Sequence, residues 1–258
     1  MYTIITNMSN KYQVEYNIKI LSYNIYYKSM LGLDDKFLPQ KLAQNNVKNV
    51  IDNNYDIIAL QEVQCIDKII EKKNRQLIIG KSGRETLVTI FNNNFKIINS
   101  ITTEFCKGRG IQITQINYID KIWIVVNIHA PHYYNNFGNY VGEKIINMKE
   151  YNQEFKYILS NVLETFINNH NIQFNRILIM GDFNEAFADT NTFILNLNNI
   201  NYEMKTYYIK PRTCCYDIDE NSLKTGDLIY DSNNSNMLNI PYVNFPASDH
   251  LPVETTIN

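Results

Sequence analysis

The sequence contains no apolar run near the roughly 18 residues that a membrane-spanning helix requires, and its start, MYTIITNMSNKYQVEYN, lacks the basic-then-apolar order of a secretory leader. Neither a membrane span nor export is expected, and we read an intracellular protein of cytoplasm or nucleus. Cysteine is scarce: Cys65, Cys106, Cys214 and Cys215 are scattered apart from one adjacent pair, whose geometry strains a mutual bridge. That argues against a disulfide framework or a zinc cage and for a reducing compartment. The 9 glycines and 6 prolines nowhere gather into a linker, and no internal repeat of solenoid length is present. Strong charge of one sign is also missing. With 19% charged residues and a net charge of -2, the chain cannot coat nucleic acid non-specifically, although a local basic groove could still touch a backbone.

What is present is material for a core. The 258 residues are 45% hydrophobic and 12% aromatic, which suits one large globular domain over 1–258 with a loose arm over 1–15. Ile18 to Leu21 reads as a strand running into Ser22-Tyr23-Asn24. Leu38, Leu42, Val47, Val50 and Ile51 recur near helical spacing, and Asp56 to Leu60 is a short buried strand. Leu77 to Ile79, Thr86 to Phe91, Ile111 to Ile116 and Ile122 to Ile128 predict an antiparallel meander. The longest helical signature runs from Gly142 to about His170, followed by a strand over Ile177 to Met180. Weaker strands are expected at Tyr207–Ile209, Asp227–Tyr230 and Val253–Ile257. The fold class is α/β (α+β), with two sheets packed face to face and helices outside.

Polar residues fall at the ends of the apolar strands: Ser22-Tyr23-Asn24, Leu60-Gln61-Glu62, Asn127-Ile128-His129 and Met180-Gly181-Asp182-Phe183-Asn184, with Ser248-Asp249-His250 before the last strand. Each has an ordinary explanation when taken singly. The Gly181–Asn184 stretch has turn chemistry, Glu62 suits a solvated edge, His129 suits a hydrogen-bonded core position, and Asp249-His250 suits a loop before Pro252. Taken together on one side of a sheet sandwich, they line a pocket with several carboxylates and no arginine nearby in sequence. Such a pocket calls for a cation, and an all-oxygen donor set suits Mg²⁺, or Mn²⁺, better than zinc.

In this order, Asn24, LQEV at Leu60–Val63, NIHAP at Asn127–Pro131, GDFN at Gly181–Asn184, GDLIY at Gly226–Tyr230 and SDH at Ser248–His250 resemble the endonuclease/exonuclease/phosphatase superfamily over nearly the whole chain. The histidine of NIHAP, followed by a long helix and GDFN, is closer to the DNase I-like branch. The resemblance implies a four-layer αββα sandwich of two mostly antiparallel sheets, with the site at one edge. It implies that Glu62 is the principal metal ligand, helped by Asn24 and Asp249, and that Asp182 and Asn184 hold the attacking water and a phosphoryl oxygen. It pairs His250 with Asp227 and His129 with Glu85, and it places Arg109 with Asn184, His129 and His250 on the phosphate. Gly83 stands where the DNase I-like branch carries a tyrosine that grips a duplex minor groove.

These roles agree with the needs of phosphodiester hydrolysis: an in-line water, stabilised equatorial oxygens and a proton or metal for the leaving oxygen. A carboxylate beside each histidine favours imidazolium and fixes its tautomer. The expected activity is Mg²⁺-dependent cleavage of DNA or RNA. The alternatives are hydrolysis of a small or lipid-linked phosphoester (an inositol phosphate, sphingomyelin or a protein-nucleic acid adduct) and a non-catalytic interaction module. Gly80-Lys81-Ser82 lacks the earlier glycine of a phosphate loop, Arg75 standing there, and reads as a loop lysine. Lys72, Lys73 and Arg75 read as a solvated face, and Cys214-Cys215 as packing residues. Tyr26, Tyr27, Tyr133 and Tyr134 flank the strand ends, where they either pack in loops or stack on a substrate.

Overall fold

The computed structural model describes residues 17–33, 38–71, 74–83, 85–106, 108–132, 147–187, 190–206, 213, 225–233, 238–241 and 247–258. Along the chain run β1 (Ile18–Asn24), α1 (Tyr27–Leu31), α2 (Gln40–Asp52), β2 (Ile57–Gln61), α3 (Ile66–Ile69), β3 (Arg75–Ser82), β4 (Glu85–Asn92), β5 (Lys96–Cys106) and β6 (Arg109–Tyr118). They are followed by β7 (Lys121–His129), α4 (Met148–Asn169), β8 (Arg176–Asp182), β9 (Thr192–Leu197), β10 (Ile200–Lys205), β11 (Asp227–Asp231) and β12 (Val253–Ile257). One sheet has the order β12-β1-β2-β4-β3 and the other β5-β6-β7-β8-β11-β10-β9. Among the described strands, β1–β2 and β7–β8 pair in parallel and the others antiparallel. Among the described residues, no helix is long and apolar enough to cross a membrane.

The period-two alternation of β1 and β2 builds the layers. Leu21, Tyr23, Ile58 and Leu60 face out and pack with Ala43, Val47, Val50 and Ile51 of α2. Ile20, Ile57 and Ala59 face in and join the core of the seven-stranded sheet. On the far side, α4 buries Tyr151, Phe155, Leu159, Leu163, Phe166 and Ile167. Its start is fixed by Asn147, whose side chain accepts from Glu150 N at 3.1 Å and donates to the Glu150 carboxylate at 3.1 Å. The four layers are helix, sheet, sheet and helix, as the resemblance implied.

Several local expectations need correction. The meander is split: β3 and β4 pair with each other in the five-stranded sheet, while β5, β6 and β7 form an antiparallel run in the other. Periodicity identifies strands but not which sheet receives them. Gly80-Lys81-Ser82 lies within β3 rather than in a loop. Leu42 is 52% exposed, because α2 turns Ala43 rather than Leu42 inward. The β9–β10 hairpin was not anticipated. The strand expected at Tyr207–Ile209, the first residues of the long helix, Tyr133, Tyr134, Lys72, Lys73, Cys214 and Cys215 lie outside the described residues.

Register positions the site. In the parallel pairs, Asn24 stands beside Gln61 and His129 beside Asp182. β11 runs antiparallel to β8 and starts with Asp227 opposite Asp182. The polar strand ends therefore meet at one edge of the sandwich. Gly181 permits the closest approach: its φ is +151°, and a Cβ there would sit 1.9 Å from Ile128 O. No other residue fits between β7 and β8 at this level.

Candidate active site

Asn24, at the end of β1, donates its amide to Asp182 Oδ2 at 2.9 Å and to Glu62 Oε1 at 3.4 Å, so one carboxamide joins carboxylates from both sheets. Asn24 is itself fixed by Tyr26 N, which donates to its Oδ1 at 3.1 Å, and by Ser248, whose hydroxyl donates to Asn24 O at 2.8 Å. Ser248 Oγ also accepts from His250 N at 3.0 Å. The serine thus ties the final loop to the end of β1. Asp249 is half-buried, with its Oδ1 3.4 Å from Ser248 Oγ.

His250 Nδ1 contacts Asp227 Oδ2 at 2.8 Å, and its Nε2 lies 3.6 Å from Asp182 Oδ2. On the other flank, His129 Nδ1 lies 2.7 Å from Glu85 Oε2, and its Nε2 lies 3.3 Å from the same Asp182 oxygen. Two imidazoles, each backed by a buried carboxylate, converge on Asp182 Oδ2. Asp182 Oδ1 accepts from Asn184 N at 2.8 Å, and the Asn184 amide donates to Ala130 O at 2.7 Å, fixing the turn after β8 to the end of β7. Arg109 Nη1 lies 2.9 and 2.6 Å from the two His129 ring nitrogens, 3.5 Å from Glu85 and 3.9 Å from Glu62. Glu85 is held in turn by Gly110 N at 3.0 Å, across a contact between the sheets in which a Cβ on Gly110 would come 2.8 Å from Ser82 Cβ.

These contacts set the charge states. Burial opposes the His250 imidazolium, but Asp227 and Asp182 outweigh it and push the pKa up to about 10. Burial likewise opposes protonation of His129. The Glu85 charge and hydrogen bond, helped by Asp182, overcome both burial and the neighbouring Arg109 cation, and the shift is upward. Burial also works against the Asp182 carboxylate, yet His250, His129, the Asn24 amide and Asn184 N hold its pKa well below the usual range. Burial, reinforced by the Asp182 charge, raises Asp227, and this is partly offset by His250 and the Thr213 hydroxyl. Asp249 is raised by burial, eased by His250 and reinforced by Glu62 and Asp182.

Beyond burial, the neighbouring Glu62 and Asp182 carboxylates add to the rise at Asp249, and such crowding of carboxylates is what a divalent cation relieves. Two donor sets are available. Asp182, Asp227 and His250 each bring a ligand atom to within 4.8 Å of the others. In that trio, however, the imidazolium already serves as the counter-charge. The resemblance implies Glu62, Asn24 and Asp249 instead, whose oxygen donors would suit a hard ion; as folded, Asn24 turns its amide nitrogen to Glu62 and Asp182 while its Oδ1 accepts from Tyr26 N.

Every residue anticipated for the site is therefore present at this one edge. Five residues that the sequence reading gave no role also contribute: Thr213, His132, Glu185, Gln61 and Asn127. Thr213 accepts from Asp227 N at 2.9 Å. His132 and Glu185 form a rim pair at 3.2 Å. Gln61 and Asn127 meet below the site at 2.8 Å. Position 83 is closed to a bulky side chain: φ is +58°, and a Cβ would approach Gly108 Cα to 3.1 Å.

No protein-family profile and no curated protein sequence matches this chain. Solved structures do share its fold. An endonuclease/exonuclease/phosphatase from Bacteroides vulgatus superposes with a TM-score of 0.64 at 14% identity, covering 95% of this chain and 99% of that one. D. rerio TDP2 complexed with a single-strand DNA product gives 0.61 at 13% identity, with 95% and 100% covered. The human Nocturnin catalytic domain with bound sulfate gives 0.60 at 16%, with 93% and 92% covered. At these identities the likeness speaks for architecture, and it agrees with the order of motifs: this chain has the fold of the endonuclease/exonuclease/phosphatase proteins.

Proposed function

We propose that the protein is a divalent-metal-dependent phosphoesterase that hydrolyses phosphodiester bonds in DNA or RNA. The observation that carries this reading is the convergence of His129 and His250 on Asp182 Oδ2, at 3.3 and 3.6 Å, with each ring backed by its own carboxylate. A non-catalytic module has no use for two buried histidines, each beside its own carboxylate, around one depressed carboxylate. In this reading Glu62, Asn24 and Asp249 hold the metal, with Mg²⁺ the best match to the donors. When bound, it neutralises charge developing on the phosphoryl oxygens. Asp182, ionised at neutral pH, orients the attacking water, which gives up its proton to solvent while the His250 imidazolium protonates the leaving oxygen. His129 donates a hydrogen bond to the phosphoryl oxygens that gain charge, with Arg109 alongside it, and the Asn184 turn keeps Asp182 in line.

The single-strand DNA product bound by D. rerio TDP2 supports a nucleic-acid substrate. A second reading, a smaller phosphoester, is favoured by Gly83, which leaves no room for the aromatic grip on duplex. The deciding experiment incubates the protein with single-stranded DNA, duplex DNA, RNA and small phosphoesters, in Mg²⁺ or EDTA, alongside Glu62→Ala and His250→Ala. Mg²⁺-dependent cleavage of nucleic acid that both substitutions abolish is the expected result. Phosphate release from small esters alone selects the second reading, and inactivity on every substrate defeats both.

A further inference from the structure

One extra residue in a strand reverses the alternation of its faces beyond that point. β2 and β4 pair regularly as far as Leu60 opposite Val88, and the next bond between them runs from Val63 N to Thr86 O at 3.0 Å. Over this interval β2 places Gln61 and Glu62 where β4 has Leu87 alone. Glu62 takes up the extra length with φ +55°, a left-handed backbone that a non-glycine residue keeps only when its surroundings hold it. The effect is visible on both faces. Leu60 and Val63 both lie in the core with α2, whereas Gln61 and Glu62 both turn the other way, Gln61 to Asn127 and Glu62 to Asn24. Without the bulge, Glu62 would enter the apolar layer and Val63 would face the site.

Asn127 holds this irregularity from the opposite sheet. It is fully buried on β7, two residues before His129 and therefore on the same strand face. Its Nδ2 donates to Leu60 O and to Val88 O, both at 3.1 Å, and lies 3.3 Å from Thr89 Oγ1. Its Oδ1 accepts from Gln61 Nε2 at 2.8 Å. The two carbonyls belong to the last regular pair before the bulge, so one carboxamide satisfies both strands at the point where they part. An aspartate here would set a carboxylate oxygen against two carbonyls. A leucine would leave buried polar groups unpaired.

We propose that Asn127 is a positioning residue for Glu62: by bridging Leu60 O, Val88 O and the Gln61 amide it fixes the bulge that aims the Glu62 carboxylate into the site. Through its place on β7 it also sets the spacing between Glu62 and His129. The proposal rests on Glu62 being a metal ligand, as read above.

The test compares the full chain with Asn127→Leu, Asn127→Asp and Val125→Ala, the last a cavity on the same strand and face that does not touch the bulge. Three quantities are measured: Mn²⁺ affinity by calorimetry, hydrogen exchange of the Val63 amide by NMR, and Tm. Both Asn127 variants are expected to lose about tenfold or more in Mn²⁺ affinity. They should also speed Val63 exchange relative to the rest of β2, while Val125→Ala changes Tm alone. If Mn²⁺ affinity stays within about threefold of the parent and Val63 exchange is unchanged in either Asn127 variant, Asn127 is a buried filler and the proposal is overturned. Should Asn127→Leu fail to fold, Asn127→Asp, which keeps the shape, and Gln61→Met decide. A parent protein that binds no Mn²⁺ would defeat the metal assignment of Glu62, and Val63 exchange would still decide whether Asn127 holds the bulge.

Discussion

The strands β7, β8 and β11 carry a charged cluster at each end, and the two ends are built in opposite ways. At the end away from the site, Arg176 Nε and Nη2 donate to Asp231 Oδ1 and Oδ2 at 2.9 and 2.6 Å, and the guanidinium lies 4.8 Å from the Trp123 ring. Its remaining nitrogen Nη1 donates to Asn258 O at 3.0 Å. One cation meets one anion in a planar fork, with stacking and a third hydrogen bond completing the shell. At the site end, among the described residues, the carboxylates Glu62, Glu85, Asp182, Asp227 and Asp249 gather around His129, His250 and Arg109. The first arrangement is closed and binds the fold together. The second keeps unbalanced charge and partial access to solvent. The difference teaches that burial of charge alone does not mark function; the mark is burial that remains incompletely compensated.

The sharpest way to break the comparison is to remove charge at each end. Asp182→Asn and His250→Ala should lower cleavage by about 10²–10⁴-fold in initial-rate assays, while the proteins remain folded by circular dichroism. Asp231→Ala should do the reverse. It strands a buried guanidinium and should cost about 3–5 kcal/mol in urea unfolding, with the specific activity of the folded fraction retained. A comparable rate loss in Asp231→Ala would mean that the two ends are not separate.

The pH dependence sharpens the contrast further. The folded-state pKa of His250 is raised, so its ion pair contributes full stability below the ordinary histidine value and loses it as pH rises through about 10. Asp182 is depressed, so its contribution is present above the ordinary carboxylate value and disappears as pH falls through its lower folded value. Urea titrations in EDTA should therefore show the stability gap between the parent and His250→Gln at its full value below pH 6.5, narrowing through neutrality and closed as pH passes about 10. A gap already closed near pH 7 would contradict the ion pair. The smallest effect is expected for Asp249→Asn. Removing a carboxylate disfavoured by burial, Glu62 and Asp182 should raise Tm by a degree or two in EDTA and weaken Mn²⁺ binding. A fall in Tm in EDTA would show that Asp249 is already balanced.

The layers and the site edge were legible because buried strands announce themselves by apolar runs and end abruptly in polar residues, as at Asn24, Glu62, His129 and Asp182. The contact of Glu85 with His129 followed the resemblance rather than any local pattern. The bulge at Glu62 was not legible, since a glutamate in a left-handed conformation leaves no compositional trace. Nor could Thr213 be foreseen, as an isolated threonine that matters only through the amide above it. The β9–β10 hairpin did carry a signal: Asn198 and Asn199, with φ of +50° and +64°, form the tight turn between two alternating strands. In a chain rich in asparagine, that dipeptide does not stand out.

Gly181 has a further consequence. Because β8 touches β7 there through backbone alone, the separation of His129 from Asp182 is set by main-chain pairing rather than by the fit of neighbouring side chains. Changes in the surrounding loops should then leave the His129–Asp182 separation as it is, provided that this single position stays bare.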